Sequence, residues 1–143
     1  MIGYNTPIID RQVLFGNPQI SGAQLSPDGR HITFIKPLNG IMNIWIKPID
    51  GAFENAYPVT QDKARPIRSY FWSRDSQFIL YVQDKGGDEN FRVYAVDPKK
   101  CNKDTITEAL DLTPYDDIRA FIVSLPKKFE DQIFVGINDR DKA

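Results

Sequence analysis

Two stretches of the chain carry the same pattern of residues, 47 positions apart. LSPDGRHITF covers Leu25 to Phe34, and WSRDSQFILY covers Trp72 to Tyr81. The match continues from NIWIKPID in the first copy to NFRVYAVD in the second, and Ile118-Arg119 opens a third copy that echoes Ile67-Arg68. Self-similarity at a fixed period of this length predicts a repeat architecture.

Each copy contains the signals of four short strands joined by turns. Ser26-Pro27-Asp28-Gly29 carries residues that are favoured at successive positions of a type I turn, and Ser73 to Ser76 is a weaker version of it. The segments that follow, HITFI and QFILYV, are β-rich, and their apolar content predicts burial on both faces. A polar hairpin comes next in both copies, PLNGIMN in the first and DKGGDEN in the second.

The third and fourth strands carry weaker signals. At the spacing of 47, Ile44 and Ile46 of the third strand are matched by Phe91 and Val93 in the second copy. The fourth strand is short and ends in the Val-Thr or Leu-Thr pair of its copy. Each repeat therefore predicts a meander of four strands.

Four-stranded units of about 40–50 residues are typical of β-propeller blades. A β-sandwich also contains short strands, but it does not repeat residue identities at a fixed period. We therefore predict an all-β fold, a partial β-propeller of about two and a half four-stranded blades with a short N-terminal helix. Blade 1 covers residues 20–66, blade 2 covers 67–117, and an incomplete blade 3 covers 118–143.

Residues 1–19 depart from the strand pattern. Thr6 is an N-cap candidate, Pro7 suits the first helical position, and Gly16 follows the segment IIDRQVLF. This arrangement predicts a short helix that packs on the first blade, with an extended arm as the alternative.

The composition limits the partners and the compartment. Eighteen basic and nineteen acidic side chains give a net charge of −1, which offers no electrostatic reason to expect nucleic acid or an anionic membrane as a partner. No apolar run approaches the roughly 20 residues that span a bilayer, and the N-terminus lacks a signal-peptide pattern. We expect a soluble, cytoplasmic protein, or a periplasmic one if a signal peptide has been removed.

Cys101 lies in the polar stretch KKCNKD, which predicts an exposed, incidental loop thiol.

The number of blades raises the question of what covers the sheets at either end. Closed propellers have typically about 4 to 8 blades, so two and a half blades would leave sheet faces and edge strands exposed. Either the native protein continues beyond Ala143, or several copies associate. For the isolated chain we expect self-association.

Several longer strings carry a family resemblance. The most specific is RPIRSYFWSRDSQFILYVQDKGGDEN, residues 65–90, with VLFGNP ahead of it. LSPDG, NIWIKPIDG, LTPYDDIRA and VGINDRD extend the match over nearly the whole chain. These strings resemble the N-terminal propeller of the prolyl oligopeptidase family of serine peptidases. The subgroup they resemble most is the bacterial dipeptidyl aminopeptidase and acylaminoacyl-peptidase-like enzymes.

In that family the propeller precedes an α/β-hydrolase domain with a Ser-His-Asp triad and restricts which peptides reach it. The resemblance therefore implies a noncatalytic propeller portion that acts on peptide substrates through a hydrolase domain absent from this chain. The sequence contains no G-x-S-x-G nucleophile motif, and its one histidine, His31, aligns with Gln77 at a strand start. We predict no catalytic residue and no activity of the chain alone. The alternative is a stand-alone TolB-like propeller module that binds proteins and self-associates.

Two arginines are candidates for contact with substrate. If Ile67-Arg68 and Ile118-Arg119 begin the innermost strands of their blades, Arg68 and Arg119 occupy equivalent positions beside the central channel. Guanidinium groups there could guide a peptide carboxylate or pair with the hydrolase domain. The alternative is a salt bridge to a neighbouring acid such as Asp116 or Asp117.

The acidic hairpin DKGGDEN, residues 84–90, contains a third candidate for contact with substrate, Glu89. Oxygen-rich loops can bind calcium, but this spacing does not fit an EF-hand and a glycine-rich hairpin between two strands needs no metal. We therefore predict a plain hairpin, no metal site and no cofactor.

The abundant aromatic residues fall within predicted strands, which favours packing between blades over nucleic-acid binding. They are Trp45, Tyr70, Phe71, Trp72, Tyr81, Phe91 and Tyr94.

Overall fold

The described part of the chain consists almost entirely of strands and turns. The computed structural model describes residue 8 and residues 19–138, so the predicted N-terminal helix lies, apart from Ile8, outside the described residues. Within them, ten strands form three antiparallel sheets. The predicted all-β fold class is confirmed.

Each of the first two sheets is a meander of four strands that follow one another in sequence, while the third sheet pairs the last two strands. The strands are Ser21–Leu25 (β1), His31–Leu38 (β2), Ile41–Pro48 (β3), Tyr57–Pro58 (β4), Tyr70–Trp72 (β5), Ile79–Gln83 (β6), Arg92–Val96 (β7), Leu110–Asp111 (β8), Ala120–Ser124 (β9) and Phe134–Ile137 (β10). Short 3-10 turns, Phe53–Asn55 and Pro98–Lys100, lie between the third and fourth strands of the first two sheets.

The turn between the first and second strands has the same hydrogen bonds in both sheets. Gly29 N donates to Ser26 O at 2.8 Å, and Ser76 N donates to Ser73 O at 3.0 Å. In each turn the first serine hydroxyl donates to the aspartate two residues later at 2.6 Å. The two turns also contact each other, because Asp28 N donates to Ser76 Oγ at 3.0 Å. The repeated sequence therefore builds a repeated structure.

The hairpin between the second and third strands differs in length between the two sheets. In the first sheet Asn39 and Gly40 form a two-residue loop, and their positive φ angles of 50° and 84° are those of a type I′ turn. In the second sheet the longer segment 84–91 joins β6 to β7. The predicted hairpin PLNGIMN is thus mostly strand, with only its Asn-Gly pair in the loop.

The longer hairpin changes which residues of the third strands correspond. Ile44 pairs with Ile35 across the first sheet, and Val93 pairs with Val82 across the second. Ile44 N and Val93 N each donate to the threonine that follows the fourth strand, at 2.9 and 3.0 Å. The predicted match of Ile44 with Phe91 is therefore wrong, since the backbone places Val93 at that position, 49 residues on rather than 47.

The first and second sheets share one hydrophobic core. Trp72 Nε1 donates to Thr33 Oγ1 at 2.9 Å across this interface. Tyr70 Oη donates to Gly22 O at 2.6 Å, where Gly22 adopts a φ of +58° that residues with a side chain rarely adopt. The buried members of this core are Ile35, Ile44, Ile46, Val59, Ile67, Tyr70, Trp72, Ile79, Tyr81, Val96 and Cys101.

The third sheet packs on the other face of the second. Val93, Ile118 and Ala120 are buried there, together with half-buried Val82, Leu112, Ile122, Ile133 and Val135. Several apolar side chains of β9 and β10 remain exposed, namely Phe121, Val123, Phe134 and Ile137 at 52%, 60%, 52% and 41%. Consecutive sheets thus bury their shared faces, as successive propeller blades do.

The aromatic residues fulfil their predicted role in part. Tyr70, Trp72 and Tyr81 are buried in the core between the first two sheets, as predicted. Phe71 is 43% exposed, because alternate residues of a strand point to opposite faces, so its predicted burial is wrong.

Among the residues that the structure describes, no helix has the length and apolar character needed to cross a bilayer.

Cys101 is buried rather than exposed, which corrects the prediction of a surface thiol. It is only 5% exposed, and it follows the 3-10 turn Pro98–Lys100, whose N-cap Asp97 accepts from Lys99 N at 3.0 Å. Its Sγ lies 3.9 Å from Val59 O in the first sheet. Burial raises the pKa of the Cys101 thiol. The polar residues around it in sequence turn outward while the sulfur joins the core.

Candidate functional site

A basic cleft of about 400 Å³ opens where the second and third sheets meet. Three arginines line it, Arg65, Arg68 and Arg119, and Asp84 is the single acidic lining residue among the described residues. Its apolar walls come from both sheets. The other lining residues are Pro66, Ser69, Val82, Gln83, Phe91, Ala120 and Phe121.

Backbone hydrogen bonds join consecutive sheets at this cleft and directly beside it. Ile67 N donates to Met42 O at 2.9 Å, and Ala120 N donates to Phe91 O at 2.7 Å. Each bond ties the segment that enters a new sheet to the start of the third strand of the sheet before it, at Met42 within β3 and at Phe91 directly ahead of β7. The cleft is therefore shaped by the strand framework and not by loops alone.

The same bonds correct the predicted equivalence of the two candidate arginines. Because Met42 and Phe91 occupy matching places in their sheets, Ile67 corresponds to Ala120 rather than to Ile118. In addition, β5 and β9 begin at Tyr70 and Ala120, after the predicted starts at Ile67 and Ile118. Arg68 and Arg119 are not at equivalent positions, yet both line the same cleft.

Arg65 forms an ion pair with Asp84 at the edge of the cleft. Arg65 Nε donates to Asp84 Oδ1 at 3.2 Å, and Arg65 Nη2 donates to Asp84 Oδ2 at 3.3 Å. The Asp84 side chain is 1% exposed, whereas that of Arg65 is 45% exposed. Two parallel bonds of this kind fix the plane of the guanidinium as well as its position. The first residue of the predicted acidic hairpin is thus a buried anchor for Arg65.

Two further side chains hold the connection between the first and second sheets. Asp62 Oδ1 accepts from Ala64 N and Arg65 N at 3.0 and 2.9 Å. Gln83, only 7% exposed, donates through Nε2 to Arg65 O at 3.2 Å and to Asp62 Oδ2 at 3.3 Å. The segment that leads to Arg68 is therefore held from both sides.

Arg119 lies over an aromatic ring and not beside a carboxylate. Its guanidinium carbon is 5.1 Å from the centroid of the Phe91 ring, within cation–π range. Asn138 Oδ1 accepts from Arg119 N, and Asn138 N donates to Arg119 O at 3.1 Å. The backbone of Arg119 is thus held by Asn138, directly after β10, and its side chain lies over Phe91.

The predicted salt bridge from Arg68 or Arg119 to Asp116-Asp117 is wrong for the residues that the structure describes. Asp116 is bound instead by Arg92, whose Nη2 donates to Asp116 Oδ1 at 3.1 Å. Arg92 Nη1 also donates to Asp111 Oδ2 at 3.0 Å, and this hydrogen bond raises the pKa of the Arg92 guanidinium. In residues 19–138, neither Arg68 nor Arg119 has a carboxylate oxygen within 4.0 Å.

Glu89 lies apart from this cleft. It is exposed, adopts a φ of +59° in the hairpin, and is not among the lining residues of the cleft. Its neighbour Asp88 accepts from Lys85 N at 3.1 Å and from Asn90 N at 3.0 Å, which closes the hairpin. No group of three or more His, Cys, Asp or Glu residues within the described ranges is arranged to hold a metal ion.

Sequence reasoning identified two of the three arginines and missed their surroundings. The Arg65–Asp84 pair joins residues 19 positions apart, and Phe91 was matched to a core position. The ring of Phe91 and the framework bonds could not be found without the register of β7.

Two proteins with peptidase names are similar to nearly the whole of this chain. No protein-family model matches the sequence. Dipeptidyl aminopeptidase BIII of Pseudoxanthomonas mexicana is 44% identical over 136 residues, which are 95% of this chain and 19% of that protein. Dipeptidyl peptidase family member 6 of Caenorhabditis elegans is 30% identical over 148 residues, covering 100% of this chain and 19% of that protein. The chain thus spans 19% of the length of each relative.

A solved structure supports the fold. The β-propeller domain of the Trilobed protease from Pyrococcus furiosus matches 74% of this chain and 32% of its own, with a TM-score of 0.50 and 19% sequence identity. At this level of identity the likeness shows the fold. Together with the four-stranded antiparallel sheets, it confirms the predicted β-propeller architecture.

Proposed function

We propose that this chain restricts and guides the peptides that reach a hydrolase domain of the parent protein. The chain fits a propeller region of the prolyl oligopeptidase family and forms the propeller portion of a peptidase. The observation that carries the proposal is the 44% identity to a dipeptidyl aminopeptidase over 95% of the chain. The catalytic serine and its partners would lie in the remainder of the parent, since this sequence contains no nucleophile motif.

The basic cleft supports a guiding role at a specific place. Arg68 and Arg119 are exposed and line a concave surface whose walls are largely apolar. A peptide offers both apolar side chains and anionic groups to such a surface, and charges in a cleft raise the local concentration of oppositely charged ligands. Because backbone hydrogen bonds join the sheets at the cleft, it would select peptides by its fixed shape and charge.

The test compares peptides in the full-length parent protein. Arg68→Ala combined with Arg119→Ala is expected to change the relative kcat/KM of longer peptides, while a small chromogenic dipeptide, which needs no guidance, serves as the internal reference. Lys99→Ala with Lys103→Ala is the matched control, since these exposed cations lie away from the cleft. An unchanged ratio of long to short substrates in the arginine variant would contradict the guiding role.

Self-association of the chain is a second candidate, favoured by the exposed apolar side chains of the third sheet. Val123 is 60% exposed and Phe134 is 52% exposed. A second copy of the chain would cover this face by presenting a sheet of its own. Sedimentation velocity is expected to show a concentration-dependent oligomer that Val123→Asp weakens. A monomer at all concentrations would exclude this candidate.

The mass of the endogenous protein separates the two candidates. An antibody against this segment should detect a band several-fold above 16.4 kDa if the chain is part of a peptidase. A band near 16.4 kDa would instead favour the self-associating module.

A further inference from the structure

We infer that the basic cleft is a binding site for a carboxylate attached to an apolar group, either the C-terminal carboxylate of a peptide or an acidic side chain beside an apolar one. This inference rests on the proposed function and names the chemistry that the cleft recognises. Four features carry it, namely the charge balance, the arginine chemistry, the apolar walls and the preorganisation of Arg119.

The charge balance of the cleft favours an anionic ligand. Among the described residues, three arginines and one acidic residue line it, and that acid, Asp84, is already bound by Arg65 through two hydrogen bonds. Arg68 and Arg119 have no carboxylate oxygen within 4.0 Å in the part of the chain that the structure describes. Within the described residues, two positive charges therefore have no carboxylate partner, which suits an anionic ligand.

Arginine is suited to a carboxylate in particular. Its planar guanidinium presents paired N–H donors whose geometry matches the two oxygens of a carboxylate. Within the protein itself, Arg65 shows this mode of binding with Asp84. Arg68 and Arg119 have the same donors and are exposed to the cleft.

The walls of the cleft select what the carboxylate is attached to. Val82, Phe91, Ala120 and Phe121 supply apolar surface next to the guanidinium groups. A bare inorganic anion would leave the apolar walls exposed to water. An apolar residue next to the carboxylate would bury these walls, and the binding free energy would become more favourable in proportion to the apolar area removed from water. The cleft volume of about 400 Å³ lies in the range typical of small-ligand sites, about 300–1,000 Å³.

Arg119 is preorganised for this task. Its guanidinium is held 5.1 Å from the Phe91 ring centroid, and Asn138 holds its backbone from both sides. A side chain that is already ordered loses less conformational entropy when it binds a ligand.

The experiment measures binding to the 143-residue chain by NMR titration, without the hydrolase domain. The probes are N-acetyl-Ala-Phe as the free acid, the same peptide as its C-terminal amide, and N-acetyl-Ala-Glu-Phe-amide. We expect the free acid to bind at least about tenfold more tightly than its amide, which corresponds to about 1.4 kcal/mol. Comparable binding of the glutamate peptide would identify acidic side chains as a source of the carboxylate, and its failure would leave the C-terminus.

Variants connect the binding to the two arginines. Arg68→Gln with Arg119→Gln should reduce the affinity for the acid to that of the amide, while Arg68→Lys with Arg119→Lys should retain part of the difference. Both arginines are exposed, so the thermal midpoint of each variant should stay close to that of the unsubstituted chain, which excludes misfolding as the cause.

If neither the free acid nor the glutamate peptide binds more tightly than the amide, or if the glutamine variant binds fully, the inference is overturned. Either result would leave the proposed function standing, because the ratio of long to short substrates in the full-length protein tests guidance independently of what the cleft binds. A changed ratio with no carboxylate preference would therefore reject this inference alone.

Discussion

The indole Nε1 of Trp72 donates to Thr33 Oγ1 at 2.9 Å, and this buried hydrogen bond joins the second sheet to the first. The Thr33 hydroxyl in turn donates to Gln24 O at 3.3 Å. The Thr33 hydroxyl therefore accepts a hydrogen bond from the second sheet and donates one within the first sheet, in the buried interface between them. The interface between the blades depends on a polar contact as well as on apolar packing.

Removing this hydroxyl should destabilise the chain. Thr33→Val leaves the buried indole N–H of Trp72 without its acceptor, which costs about 1–3 kcal/mol of unfolding free energy. Thr33→Ser keeps the hydroxyl and should lose much less. Urea denaturation of the two variants checks this, and equal stability of the Val and Ser variants would show that the bond contributes nothing.

Loss of the Arg65 side chain should also destabilise the fold, because the Asp84 carboxylate is 1% exposed and would remain without its cation. For Arg65→Ala we expect a loss of about 1–3 kcal/mol, the cost of an unsatisfied buried charged group moderated by the exposure of Arg65. Lys63→Ala is the control, as an exposed cation two residues away. Chemical denaturation at neutral pH measures both, and a variant as stable as this control would argue against the anchoring role of Asp84.

The thiol of Cys101 should be protected in the folded chain. Burial raises its pKa and so lowers the fraction of reactive thiolate, and access to the sulfur requires local opening. A thiol-specific chromogenic disulfide reagent should therefore label the native chain much more slowly than the chain in urea. Rapid labelling in the native state would contradict the burial of Cys101 against Val59.

Tyr70 should make the protein sensitive to alkaline pH. Burial raises the pKa of Tyr70 from 10.0 to about 12, so between these values the unfolded state loses the phenol proton while the folded state keeps it. The unfolded state then binds fewer protons, and the stability present below pH 10 falls as the pH rises towards about 12.

Thermal unfolding at a series of pH values from 9 to 11 checks this prediction. Tyr70→Phe should lower the stability at pH 9, because the hydrogen bond to Gly22 O is lost, and should flatten the decline above pH 10. Tyr115→Phe is the control, since Tyr115 is 55% exposed. A slope that Tyr70→Phe leaves unchanged would assign the alkaline loss to other groups.

The sequence predicted the repeated sheets because the turn residues act locally. Ser26 and Asp28 hydrogen-bond to backbone groups within five residues of themselves, so their identity alone determines the turn. The correspondence of the third strands could not be predicted in the same way. Asn43 and Asn90 match at a spacing of 47, but the register depends on pairing across the sheet, where the longer hairpin shifts it by two residues.

The composition of the cleft escaped prediction for a similar reason. The repeat pattern predicts Arg68 and Arg119 through an equivalence that the backbone does not support, and the two residues meet because two consecutive sheets converge there. Cys101 was assigned to the surface from its polar neighbours, whereas its contact with Val59 crosses 42 residues of sequence. Contacts between sheets are absent from any local pattern.

The two hairpins between second and third strands have a consequence for how such proteins can be altered. One is the two-residue Asn39-Gly40 loop and the other is the longer segment 84–91, yet Ile35–Ile44 and Val82–Val93 pair in the same way beneath them. The inner pairing of each sheet is therefore compatible with hairpins of different length between the second and third strands. Grafting a longer hairpin onto the first sheet would add new surface at the rim while the inner pairing stays as it is.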